Sequence, residues 1–144
     1  MKTAICYLPI FGRTVVAATE CSQSEAVLQF AQLQRDCCGG TTGLNEIADV
    51  MGWCQCRGGD IYVWSENSPA VLFHELVHAA FMLCRQANLP QSEELIARLL
   101  EHMKLYLVDK LYYPGTTGTD LEAGRGFLKG HSLAEGMATF LGEK

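Results

Sequence analysis

The sequence contains no cluster of lysines and arginines, and its formal net charge is −5, with 11 basic against 16 acidic residues. A general nucleic-acid binder usually presents a basic face, so this class of protein is disfavoured. No apolar run reaches the roughly 20 residues that a transmembrane helix needs. We therefore expect a protein that binds neither nucleic acid nor membranes.

Paired C-x2-C motifs, typical of cysteine-based zinc sites, are also missing, although the chain has seven cysteines. The count is odd, and the adjacent Cys37 and Cys38 and the close Cys54 and Cys56 are poor partners for simple disulfide bridges. This usage favours reduced thiols and a cytoplasmic location.

The composition is that of a globular domain, since 49% of the 144 residues are hydrophobic and 19% are charged. Local patterns predict a hairpin, a helix, an ambiguous stretch with a short helical turn, and a strong strand. These segments are, in order, 3–8 with 14–19, 23–35, 44–52 and 59–66.

Two helices are expected after the strong strand. Ser68 is a favourable N-cap and Pro69 a favourable first helical residue, and Asn88 suits a left-handed end near residue 87. Ser92 caps the next helix, which fades near residues 112–113. The sequence therefore predicts an α+β fold.

We expect a structured domain over residues 1–113 and a Gly/Thr-rich tail over residues 114–144, with a short helix at 132–141.

The first of these two helices carries the sequence His-Glu-Leu-Val-His at residues 74–78. Residues four apart lie on one helix face, so His74 and His78 can both reach one zinc ion. Glu75 projects about 100° round the helix, where a carboxylate can act as general base toward a zinc-activated water. We predict these three residues as the centre of a hydrolytic site.

A third protein ligand is needed, and two patterns can supply it. In the extended motif H-E-x-x-H-x-x-G-x-x-H, Phe81 stands at the glycine position and Cys84 at the third histidine, so this pattern is rejected and Cys84 is read as a core thiol. Glu93 lies roughly 80° from the apolar stripe of the next helix, and Glu94 lies nearly opposite the stripe. Glu93 is preferred, with Glu94, or neither, left open.

The chain resembles the gluzincin branch of the zincin metallopeptidases, through HELVH and the glutamate on the following helix. Over residues 60–113 it looks like the compact HExxH proteins found in phages and prophages. The resemblance implies a minimal zincin fold, in which a small sheet packs on the HExxH helix and the glutamate-bearing helix. It implies zinc ligands His74, His78 and Glu93, with Glu75 as general base. It also implies that the strand at 61–65 borders the cleft and pairs with an extended peptide.

A peptidase of this type also stabilises the oxyanion that forms on the substrate, often with a Tyr or His side chain. The candidates are Tyr112 and Tyr113, just past the last helix, and His131 in the tail. His102 is a further candidate, expected to be solvated on the polar side of its helix.

The expected function is that of a zinc metallopeptidase with one Zn2+ per chain and a peptide or protein substrate. One alternative is a catalytically silent binding protein of zincin fold with structural zinc. A second alternative is a cysteine-based metal or redox protein.

Overall fold

A computed structural model of the chain describes residues 1–38 and 43–113, and it confirms an α+β fold. The predicted tail, 114–144, lies outside the described residues, as does its helix at 132–141. The elements are β1 (Lys2–Leu8), β2 (Arg13–Thr19), α1 (Gln23–Cys38), β3 (Gly52–Arg57), β4 (Asp60–Ser65), α2 (Pro69–Gln86) and α3 (Glu93–Met103), followed by a π-helical segment (Lys104–Asp109) and a final α-helical turn (Lys110–Tyr112).

The four strands form one mixed sheet in the order β1-β2-β4-β3. β1 and β2 form the predicted antiparallel hairpin, and β2 pairs in parallel with β4. β4 is therefore an interior strand, with β3 antiparallel on its other side. The expectation that the strand at 61–65 itself pairs with a peptide is wrong, because both of its edges are already hydrogen-bonded within the sheet.

The neighbour of β4 is β3, a strand that was not among the elements expected from the sequence. Residues 43–51 contain a turn but no helix, so the expected helical turn at 44–52 is also wrong. The tight connection between β3 and β4 consists of Gly58 and Gly59, with φ of 62° and 88°. Two consecutive left-handed residues suit a two-residue hairpin turn, and glycine adopts that conformation without strain.

Alternating side chains of the sheet build two separate cores. On one face, Val16, Tyr62 and Trp64 pack with Phe30 of α1, whose ring centroid lies 5.2 Å from that of Tyr62. The opposite face packs against α2, α3 and the π-helical segment. Each of the residues 61–65 is buried, as expected for an interior strand covered on both faces.

Two glutamine side chains hold the irregular segment 43–51 in place. Gln23 accepts a hydrogen bond from the Ile47 amide at 2.8 Å and donates one to the Ile47 carbonyl at 2.7 Å. Gln55 makes the same pair of bonds with the backbone of Asn45, at 3.1 and 2.6 Å. These bonds give the segment partners for backbone groups that no strand satisfies.

The ends of α2 agree with the predicted signals. The Val71 amide donates to Ser68 Oγ at 3.2 Å, and Pro69 is the first helical residue. Beyond the helix, Asn88 has a φ of 55°, and the chain reverses toward α3. Because the connection over residues 87–92 is short, α3 returns antiparallel beside α2. No helix in the part of the chain described here is long and apolar enough to cross a bilayer.

Ser68→Ala is expected to destabilise the protein by about 1 kcal/mol, because it removes the N-terminal side-chain cap of α2. Urea unfolding followed by circular dichroism measures this change. Gln91→Ala, at an exposed position between α2 and α3, is the control and should change stability by less than about 0.5 kcal/mol. Equal stabilities of the two variants would contradict the assignment.

Candidate metal and catalytic site

His74 and His78 lie on the exposed face of α2, one turn apart. Their ring centroids are 5.0 Å apart, and the ring planes are inclined by 78°. The buried side chains of α2, among them Leu72, Leu76 and Leu83, occupy the opposite side of the helix. The arrangement leaves both imidazoles open to solvent and close enough to bind one ion.

Glu75 lies between the two histidines and strand β3. It is half-buried, and burial raises the pKa of its carboxyl, whereas the charges of His78 and His74 act in the opposite direction. A carboxyl with a raised pKa is a better proton acceptor near neutral pH than an ordinary glutamate. At about 100° per residue, His78 is turned about 60° from Glu75, away from the strand.

β3 runs alongside α2, and we call this contact the β3–α2 seam. It consists of Gly52, Cys54 and Cys56 on the strand and Val71, Glu75, Met82 and Gln86 on the helix.

Gly52 allows the two elements of the seam to approach so closely. A Cβ atom at this position would lie 2.7 Å from Val71 Cγ1 and 2.8 Å from the Trp64 carbonyl oxygen. It would also lie 3.5 Å from Glu75 Cγ. A larger side chain would therefore push the strand away from Glu75.

β3 is an outer strand of the described sheet, and it lies on the side of α2 that carries Glu75. A two-residue turn makes Arg57 and Asp60 a hydrogen-bonded pair, so by alternation Gly52, Cys54 and Cys56 direct their backbone groups away from β4. The Cys56 carbonyl accepts a hydrogen bond from the Arg57 guanidinium at 2.7 Å. Among the described residues, no strand pairs with this edge.

Glu93 and Glu94 are both exposed in the first turn of α3. Since α3 returns antiparallel, its first turn lies beside the C-terminal end of α2, near Gln86. His78 lies eight residues earlier, about 12 Å along the helix axis. Glu94 instead bonds Arg98 at 2.9 Å.

Within residues 1–35 and 43–113, whose side chains are described, no three His, Cys, Asp or Glu side chains are grouped so that they could hold a metal ion. The structure thus brings His74 and His78 together and does not bring Glu93 to them. The ligand role of Glu93 stays a prediction. The preference for Glu93 over Glu94 compared only their rotation about the α3 axis. It did not consider that the first turn of α3 lies about 12 Å from His78 along α2.

The candidates for oxyanion stabilisation lie in different surroundings. The half-buried Tyr112 shares a hydrogen bond between its hydroxyl and that of Thr19 on β2, whereas Tyr113 is exposed. His131 lies outside the described residues. His102 is half-buried rather than solvated, and burial lowers its pKa to about 4. The catalytic role of each remains a prediction.

The cysteines with described side chains, Cys6, Cys21, Cys54, Cys56 and Cys84, are free thiols. Cys84 is buried in the core, as predicted. Burial raises the pKa of Cys6 to about 12, so this thiol is unreactive. Cys54 and Cys56 are only partly buried and belong to the β3–α2 seam.

Sequence reasoning missed β3 and therefore the strand side of the site. The signal was present in Gly58 and Gly59, because two glycines directly before a strand indicate a two-residue hairpin and hence a partner strand at 52–57.

Comparisons with protein-family models, curated proteins and solved structures each find no match for this chain. The resemblance to zincins therefore depends on the motif and its setting alone.

Glu75→Gln is expected to stabilise the metal-free protein at pH 7. The folded-state pKa of Glu75 is raised, so its stabilising contribution is present below the ordinary glutamate pKa and is lost as the pH rises through the folded-state pKa. The neutral glutamine avoids this loss. Urea unfolding in the presence of a chelator measures the difference at pH 7 and below about pH 4, where it should vanish.

Glu66→Gln, at an exposed position, is the matched control for this comparison. A Glu75→Gln variant that is less stable than wild type at pH 7, or equally stabilised at both pH values, would contradict the burial argument.

Proposed function

We propose that this chain is a zinc-dependent metallopeptidase with its site on the exposed face of α2. The observation that carries the proposal is the arrangement of His74, Glu75 and His78. Two solvent-facing imidazoles are adjacent, and the half-buried carboxylate lies between them and β3, whose outer edge pairs with no described strand. These features support the proposal because candidate ligands, a candidate base and a strand edge are close together.

The donor set fits zinc in part. Two imidazole ligands one helical turn apart are typical of catalytic zinc sites, and one further protein ligand completes such a site. When bound, zinc supplies Lewis-acid polarisation of a water molecule and of the substrate carbonyl. Glu75 accepts the proton from the attacking water and delivers it to the leaving amine nitrogen.

The substrate in this proposal is an extended peptide that pairs with the outer edge of β3. The backbone groups of Gly52 and Cys54 and the Cys56 amide face outward there, and β-strand addition uses such groups for main-chain hydrogen bonds. The Cys56 carbonyl already accepts a hydrogen bond from Arg57. Because Gly52 lies beside Glu75, a peptide on this edge passes next to the carboxylate. β3 therefore takes the role that the resemblance assigned to the strand at 61–65.

The third ligand in this proposal comes from residues 114–144. Besides His131, this segment contains Glu135, the one charged residue of SLAEGMATFL at 132–141, which was predicted as a short helix. A carboxylate among apolar neighbours is costly to bury unless it is paired or bound to a metal. Glu93 remains the alternative third ligand, although the first turn of α3 lies about 12 Å from His78 along α2.

The first test is the metal content and activity of the full chain purified without chelators. Wild type should hold about one zinc per chain, and His78→Ala should lose it. Glu75→Gln should keep zinc and lose hydrolysis of a mixed peptide library, since only the proton acceptor is removed. Arg85→Ala, exposed on the same helix, and Glu66→Gln are the matched controls.

Zinc retained by His78→Ala, or full activity of Glu75→Gln, would overturn the mechanism. Zinc bound through the histidines with no cleavage in the library would instead favour a silent binding protein. Metal released by substitutions of Cys54 and Cys56 but not of His78 would favour a cysteine-based protein.

The second test identifies the third ligand by chelator competition on Glu93→Ala, Glu94→Ala, His131→Ala and Glu135→Ala. We expect Glu135→Ala to weaken zinc binding more than about tenfold, because it removes a direct ligand. Glu94→Ala should match wild type, since this side chain bonds Arg98. If only Glu93→Ala weakens zinc binding, the third ligand is Glu93 on α3.

A further inference from the structure

The β3–α2 seam contains three sulfur atoms that the proposed peptidase chemistry does not use. Cys54 Sγ lies 3.7 Å from Met82 Sδ. Cys56 is two residues along the same strand and faces the same helix, where the Gln86 side chain donates a hydrogen bond to its sulfur. None of the three sulfur-bearing side chains is fully buried.

We propose that Cys54, Cys56 and Met82 form a binding site for a soft, monovalent metal ion of the copper(I) type, separate from the histidine pair. The site does not depend on the proposed peptidase function, and it differs from a cysteine-only site because it includes a thioether.

The spacing of the two closest sulfurs suits a shared metal ion. Metal–sulfur bonds in proteins are about 2.3 Å long. Two sulfurs 3.7 Å apart can then bind one ion with an S–metal–S angle of about 107°. This angle is close to the tetrahedral value, so these two sulfurs can bind one ion at the separation they already have.

The third sulfur is Cys56 Sγ, and its position beside α2 is explained by the similar residue spacings of the strand and the helix. Alternate residues of a strand are about 6.6 Å apart, and residues four apart on a helix about 6 Å. Cys54 and Cys56 therefore advance in step with Met82 and Gln86, and the side chains of both cysteines point at the helix. In the proposed site, rotation about χ1 of Cys56 turns its sulfur from Gln86 toward the ion.

The donor types select the metal. Thiolate and thioether sulfurs favour copper(I), whereas zinc uses cysteine and histidine but rarely methionine. Burial, with the nearby Glu75 carboxylate, raises the pKa of Cys54 to about 12, so this thiol is protonated without metal. Copper(I) binding replaces the thiol proton of each coordinating cysteine, and these protons pass to solvent.

The test is an anaerobic titration of the full chain with copper(I) against a chromogenic copper(I) chelator. Cys37→Ser and Cys38→Ser are introduced throughout, so that this adjacent pair does not contribute. We expect one copper(I) per chain, with affinity lowered about tenfold or more by Met82→Leu and by Cys54→Ser. Met51→Leu, the same change at an exposed methionine next to β3, and His74→Ala should leave the affinity unchanged.

Leucine conserves the volume of methionine, so Met82→Leu separates loss of the sulfur from loss of packing. X-ray absorption should show sulfur ligands alone at about 2.3 Å. Equal affinity in Met82→Leu and Met51→Leu, nitrogen in the copper shell, or loss of binding in His74→Ala would overturn the proposal.

Discussion

The packing of α2 against the sheet is the constraint on which the rest of the candidate site depends. One side of the helix is fixed in the core by Leu72, Leu76 and Leu83, all fully buried. Burial of an apolar side chain of this size contributes about 1.5–3 kcal/mol, so rotation of the helix would be strongly unfavourable. His74 and His78 are therefore held in solvent by what the other side of α2 buries.

The sheet controls the second side of the site through the position of β3. The Gly-Gly turn pairs β3 with the interior strand β4, and Gln23 and Gln55 bind the irregular segment that leads into it. Gly52 then lets the strand approach the helix within van der Waals contact. As a result, Glu75 is half-buried on the strand side and open on the histidine side, which accounts for its raised pKa.

The two sides of α2 next to the β3–α2 seam carry different donors. Imidazole nitrogens lie on the exposed face of α2, and sulfur donors lie between α2 and β3, beside the Glu75 carboxylate. Hard and borderline ions prefer the first kind of donor and soft ions the second. Two proposed metal sites can therefore occupy one helix, because each selects its ion by donor type.

The sequence by itself determined the local elements and the motif. Caps and breakers at Ser68, Pro69 and Asn88 set the ends of α2, and the i,i+4 spacing placed both histidines on one face, because these features depend on neighbours along the chain. The tertiary structure alone decided that β3 rather than β4 is the outer strand of the described sheet, and that Glu93 begins α3 beside the C-terminal end of α2, away from the histidines. Strand order depends on contacts between residues that are distant in the sequence. The position of one helix along another depends on such contacts too, whereas helix periodicity gives only the rotation of a residue about its own helix axis.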